Sequence, residues 1–259
     1  MRTISAQAIT DTVARLCIEA NTRLPKDVEA ALAKARAEEP WPLAKNTLDL
    51  LWSNLSAAKE ENLPICQDTG MACVFVELGT DVHIDGHFEE AIHEGVRRGY
   101  TDGYLRKSIV ADPLRRGNTG DNTPAAITVH LVDGDGCTIT VAPKGFGSEN
   151  MSRIQMLKPA DGVEGFKKFV IETVKLAGSN PCPPIVLGVG VWRTHLPFYY
   201  PISYTFFPDT GKSFLLTQVL VDKGTYFFIT PSIFMAMSQP AFYQQTRFLC
   251  QCGTAGHRR

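Results

Sequence analysis

"AITVHLVDGDGCTITVAP", residues 126–143, decides the fold class. Two β-rich runs, 126–132 and 137–143, flank a double Asp-Gly step. Aspartate followed by glycine accepts positive φ at low cost, so the pattern predicts a tight turn and a β-hairpin. A hairpin excludes a sheet built only of parallel strands. With helical patterns on both sides, the expected class is α+β: an N-terminal helical region, then a mixed or antiparallel sheet packed with helices.

Upstream, the first 62 residues carry helical spacing. Ile9, Val13, Leu16 and Ala20 fall on one face. Pro25 suits the first turn of a helix through "LPKDVEAALAKARAEE", and "PLAKNTLDLLWSNLSAAKEE" (42–61) reads as a third helix. "ACVFVEL" (72–78) reads as a buried strand and "HFEEAIHEGVRRGY" (87–100) as an amphipathic helix. Downstream, "PKGFGSENMSRIQML" (143–157) predicts a glycine-containing turn that opens into a helix. A helix ended by Gly178 follows, and then "PIVLGVGV" (184–191) as a buried strand.

Bulk properties narrow the function. The 259 residues suffice for one large domain or two modest ones. A formal net charge of −1 gives no reason to invoke nucleic acid or an anionic membrane. No run of about 18 apolar residues is present to span a bilayer. The start, "MRTISAQAITDTVARL", lacks the apolar core of a signal peptide, so a cytoplasmic protein is expected. The seven cysteines (17, 66, 73, 137, 182, 250 and 252) are irregularly spaced and include no CxxC pair. In a reducing compartment this favours metal or catalytic use over disulfides.

The composition breaks at Val191. Residues 1–191 carry 25 Asp+Glu and 20 Lys+Arg, whereas residues 192–259 carry 2 and 6. The tail also holds 15 of the 24 aromatic residues and no glutamate. It reads either as a small β-rich domain or as aberrant, out-of-frame sequence never selected to fold with the rest. The abruptness of the change favours the second.

Four polar clusters fall in turns or at element ends: "CQDTG" (66–70), "YLRKSIVADPLRRGNTGDNTPA" (104–125), "KGFGSENMS" (144–152) and "NPCPP" (180–184). Each admits a bland reading. Cys66 and Cys182 could be core thiols, Asp68 a turn residue, Arg106 a solvated cation, and "NTGDNT" a loop bonded to its own backbone. Together they say more. Cysteines in Pro-flanked turns suit soft thiolate ligation, arginine suits two-pronged carboxylate binding, and glycine-rich backbone suits anions. The combination indicates a thiolate-bound metal site acting on a carboxylic acid.

Those four stretches, in order, resemble the α-subunit or N-terminal catalytic domain of class I, iron–sulfur-dependent fumarate hydratases and L-tartrate dehydratases. The resemblance covers residues 1–191 and implies a hydro-lyase acting on a small dicarboxylate, fumarate being the first choice of substrate. It implies a [4Fe–4S] cluster on three cysteines, with one open iron as Lewis acid. By this resemblance Cys66 and Cys182 are cluster ligands, and Gln67 and Asp68 contact substrate. Arg106 pairs with a substrate carboxylate, and Gly147 lines the site. Cys17, Cys73 and Cys137 have no ligand counterpart and read as core thiols. After "GVG" the family pattern stops, leaving the third cysteine and a late histidine unaccounted for. Cys250 and Cys252 are candidate substitutes that lack the family's flanking residues, and without a third ligand the alternative reading is a catalytically incomplete remnant of the family. The resemblance also implies a β-subunit that completes the site, in an α2β2 assembly.

Overall fold

A computed structural model describes residues 2–181, 187–192, 226–230 and 244–247. Helix α1 (Ala6–Thr22) is capped by Ser5, whose hydroxyl accepts the Ala8 N–H at 3.2 Å. Its stripe of Ile9, Val13, Leu16 and Ala20 is fully buried, as the spacing predicts. Helix α2 (Lys26–Glu38) follows Pro25, which stands at its cap rather than inside its first turn. Helix α3 (Pro42–Glu61) occupies the predicted span and ends on Asn62 in the left-handed region.

Strand β2 (Met71–Gly79) runs through the middle of a four-stranded sheet of order β4-β2-β5-β9. Here β4 is Ala126–Val132, β5 is Cys137–Lys144 and β9 is Gln244–Arg247. β2 pairs in parallel with β4 and antiparallel with β5; β9 pairs antiparallel with the far side of β5. The predicted 126–143 hairpin therefore does not form. Its two strands and its turn exist, but β2 lies between them. The physical reason is at the turn. The chain leaving β2 fills the space inside it, with Gly79 N–H bonding Gly136 O at 2.7 Å, Thr80 N–H bonding Val132 O at 2.9 Å and Asp81 N–H bonding Gly134 O at 2.9 Å. Gly134 takes the positive φ that the Asp-Gly step predicts, 96°. The step specifies a reversal of direction, not the partner of each strand. The sheet is mixed and the class is α+β.

β2 also differs from the fully buried strand expected. Ala72, Val74 and Val76 are buried, while Cys73 and Phe75 on the other face are half-buried. The buried face packs against α1 and against α4 (Phe88–Asp102), which contributes Ala91, Ile92, Val96 and Tyr100 to the same core. α1 and α4 approach closely because Gly99 lacks a side chain. A Cβ there would lie 2.7 Å from Cys17 Cβ and 2.8 Å from the Ala14 carbonyl oxygen. Thr10 Oγ1 donates to the Ala91 carbonyl across the contact, at 2.9 Å.

Three smaller features complete the fold. A short β1 (Arg2–Ser5), unforeseen in the sequence, pairs in parallel with β3 (Val82–Asp85). The glycine turn at 145 opens into a single helical turn, α5 (Phe146–Glu149), and then into strand β6 (Arg153–Met156) rather than a continuing helix. β6, β8 (Tyr226–Thr230) and β7 (Gly188–Trp192) form a second antiparallel sheet beside α6 (Gly162–Ala177). α6 ends at Gly178 as predicted, φ 56°, and buries Phe166 and Phe169 against Leu157.

Candidate active site

The site forms at the N-terminal end of β2, where the turn 64–70 meets two loops. The turn is fixed to the helices: Ile65 N–H bonds Asn21 O and Asn54 Nδ2 bonds Ile65 O, both at 2.9 Å. Within it the Asp68 N–H donates to Cys66 Sγ at 3.3 Å. An N–H aimed at sulfur is a contact that orients a metal-ligating cysteine. Gly70 ends the turn at φ 60°, and a Cβ there would fall 2.0 Å from the Lys144 carbonyl oxygen. Only glycine lets β2 and the end of β5 come together here.

Three of the four predicted clusters converge on this turn. Arg106 Nη1 donates to Gln67 Oε1 at 2.7 Å. Asp68 Oδ2 accepts the Phe146 N–H at 3.2 Å, which joins "CQDTG" to "KGFGSEN". Lys144, largely buried, donates to Ser148 Oγ at 2.8 Å and pairs with Glu149 at 2.9 Å, locking the turn that carries Gly147. Gly147 faces the approach to the fourth cluster: a Cβ on it would stand 3.2 Å from the Asn180 carbonyl oxygen. Cys182 itself lies outside the described residues, as do Cys250 and Cys252. Asp68 thus does shape its turn, as the bland reading held, and still presents Oδ1 without a hydrogen bond among the described residues. Gln67 uses its oxygen on Arg106, so its amide donors remain for a ligand.

Sequence reasoning missed the residues behind this surface. Thr69 and Asn122 are buried at 2% and 0% relative exposure. Thr69 Oγ1 donates to the Arg106 carbonyl at 3.0 Å, and Tyr100 Oη donates to the Thr69 carbonyl at 2.9 Å. Burial holds the Tyr100 phenol well above its ordinary pKa, so it stays a donor. The "DNTP" run was the available signal for Asn122, since asparagine tolerates the positive φ of 63° found there.

The donor chemistry fits an iron–sulfur group at one corner. Cys66 is half-buried, in a turn, beside polar side chains. The other described cysteines differ. Desolvation pushes the Cys17 thiol up to about 12 and Cys73 to about 11, the latter against the pull of Lys144. Burial also raises Cys137, although Arg2 opposes it. These three remain protonated thiols packed in or beside the core. Among the described residues no group of three His, Cys, Asp or Glu side chains could hold a metal ion.

The sequence model of the fumarate hydratase (Fumerase) family matches residues 10–199. The chain belongs to this family. Relatives include a Methanocaldococcus jannaschii protein named "Putative L(+)-tartrate dehydratase subunit alpha", 41% identical over 194 residues, covering 72% of this chain and 67% of that protein. The L(+)-tartrate dehydratase subunit alpha of Escherichia coli strain K12 is 31% identical over 186 residues, covering 71% of this chain and 61% of its own length. The Shigella boydii protein of the same name matches to the same extent. The chain thus spans about two-thirds of the length of these curated relatives. Among the described residues no helix is long and apolar enough to cross a membrane.

Proposed function

We propose that this chain is the α-type part of an iron–sulfur hydro-lyase that interconverts fumarate and L-malate. The observation that carries the reading is the convergence of Gln67, Asp68 and Arg106 beside Cys66, with Arg106 bonded to Gln67 at 2.7 Å. Cys66 and Cys182 would hold a [4Fe–4S] cluster together with a third ligand. When bound, its open iron supplies a Lewis acid for the substrate's hydroxyl oxygen.

The chain's own residues do the rest. Arg106 offers a planar, exposed guanidinium that can take one substrate carboxylate through two parallel hydrogen bonds. The Gln67 amide donors orient the same end of the substrate. Phe146 N–H holds Asp68 Oδ2, which leaves Oδ1 to accept a hydrogen bond from the substrate hydroxyl. A β-type subunit in an α2β2 assembly, in a reducing cytoplasm, would supply the proton-transfer groups for the far end. Residues 1–191 form the catalytic part in this reading, and residues 192–259 are an atypical tail. The composition break and the family match over 10–199 support that division.

A second reading, dehydration of L-tartrate, is favoured by the names of the relatives. The test is anaerobic iron and sulfide reconstitution of the full chain with a β-type subunit, assayed on fumarate, L-malate and L-tartrate. Turnover of fumarate and malate supports the first reading. Turnover of L-tartrate alone replaces it with the second, and absence of both rejects the hydro-lyase assignment.

A further inference from the structure

Arg106 is exposed and, among the described residues, its side chain makes one hydrogen bond, so its aim depends on how its backbone is held. The backbone two and three residues beyond it is held by Asn122. The side chain of Asn122 is fully buried and bonds through both ends of its amide. Nδ2 donates to the Gly70 carbonyl at 3.0 Å, and Oδ1 accepts the N–H groups of Ser108 at 2.7 Å and Ile109 at 3.2 Å. One amide thus clips the strand end two residues beyond Asp68 to the loop two residues beyond Arg106. Asn122 is in turn anchored through its neighbour. Asp121 accepts the Thr123 N–H at 3.0 Å and hydroxyl at 2.7 Å through Oδ1, and Arg97 Nε of α4 at 3.0 Å through Oδ2. Thr69 adds a parallel tie to the Arg106 carbonyl.

We infer that Asn122, seconded by Thr69, is a positioning residue that sets the distance of the Arg106 guanidinium from Gln67 and Asp68, and so the fit of a substrate carboxylate between them. The inference rests on the hydro-lyase reading for its substrate, but not for its geometry. No other side chain substitutes for the clip. Aspartate keeps the shape and tolerates the backbone, yet loses the donor to Gly70 and buries a charge. Glycine keeps the backbone and leaves three main-chain groups without their partner.

The test compares Asn122→Gly, Thr69→Val and the conservative Thr69→Ser with the unsubstituted full chain. Two readouts are taken. In the cluster-free chain, amide exchange at Ser108 and Ile109 is expected to rise about tenfold or more in Asn122→Gly, while the amides of α1 keep their protection. In the complex reconstituted with a β-type subunit, KM for the dicarboxylate is expected to rise about tenfold, with kcat within about threefold and cluster absorbance retained. Thr69→Val shifts KM in the same direction and Thr69→Ser restores it. Unchanged exchange at 108 and 109, or a loss confined to kcat, overturns the proposal. If the unsubstituted complex neither binds iron nor turns over, the functional reading fails. The exchange readout then decides the clip alone, with unaltered exchange refuting it.

Discussion

The pair α1–α4 and the pair α2–α3 are built from similar amounts of helix and behave as opposites. α1 buries Ile9, Val13, Leu16 and Cys17 in the core it shares with α4, with Gly99 permitting contact at backbone distance. α2 buries only Leu32, and α3 only Leu51 and Ala58; Trp41, Leu43 and Leu50 stand exposed at 61%, 61% and 68%. The outer pair is joined by Arg36, which bonds Asp49 and lies over Trp52 at 5.6 Å. Such partly exposed contacts contribute little. The difference shows where the site takes its rigidity. Tyr100 at the end of α4 and Asn21 at the end of α1 hold the turn 64–70, so the site is an extension of the inner pair. α3 delivers the chain to that turn and secures it through the side chain of Asn54.

The comparison can be broken most severely at Gly70. Gly70→Val places a Cβ on the Lys144 carbonyl at a backbone angle that branched residues avoid. A loss of about 4 kcal/mol or more is expected, seen as loss of a cooperative thermal transition in circular dichroism. Within the helices, Leu16→Ala should cost about 3 kcal/mol in denaturant unfolding. The matching change in the outer pair, Leu50→Ala, should stay within about 0.5 kcal/mol. Equal losses from the two would erase the distinction.

Arg106→Ala should leave stability and cluster absorbance near those of the parent and raise the dicarboxylate KM about tenfold or more. Loss of the cluster in that variant would refute a role confined to substrate. The smallest effect is a pH effect at Asp121. Desolvation would raise its carboxyl, but the Thr123 amide and hydroxyl and Arg97 outweigh it and hold the pKa at about 2. The folded pKa lies below the unfolded value near 3.9, so the contribution is complete above pH 4 and is lost as pH falls toward 2. Asp121→Asn should flatten the acid limb of a stability-against-pH curve in that window.

Helices were the most legible part of the chain, because the stripe Ile9, Val13, Leu16, Ala20 and the boundaries at Pro42 and Gly178 are local signals. Strand pairing was not. The Asp-Gly steps reported a turn, while the identity of the middle strand depends on β2, some fifty residues earlier. The residues proposed to touch ligand were legible as polar types in glycine-rich turns. Asn122 and Thr69 were not, because their roles exist only when segments 37 and 52 residues apart in sequence are brought together. In the linear chain they are two more polar loop residues.

The central claim is that Cys66 anchors an iron–sulfur site beside Gln67, Asp68 and Arg106. Its most direct test is iron and sulfide content, with the visible thiolate-to-iron absorbance, of the anaerobically reconstituted complex carrying the parent chain or Cys66→Ser. The account predicts bound cluster in the parent and none in Cys66→Ser, with both chains equally folded by circular dichroism. Equal cluster content in the two, or none in either, would contradict it.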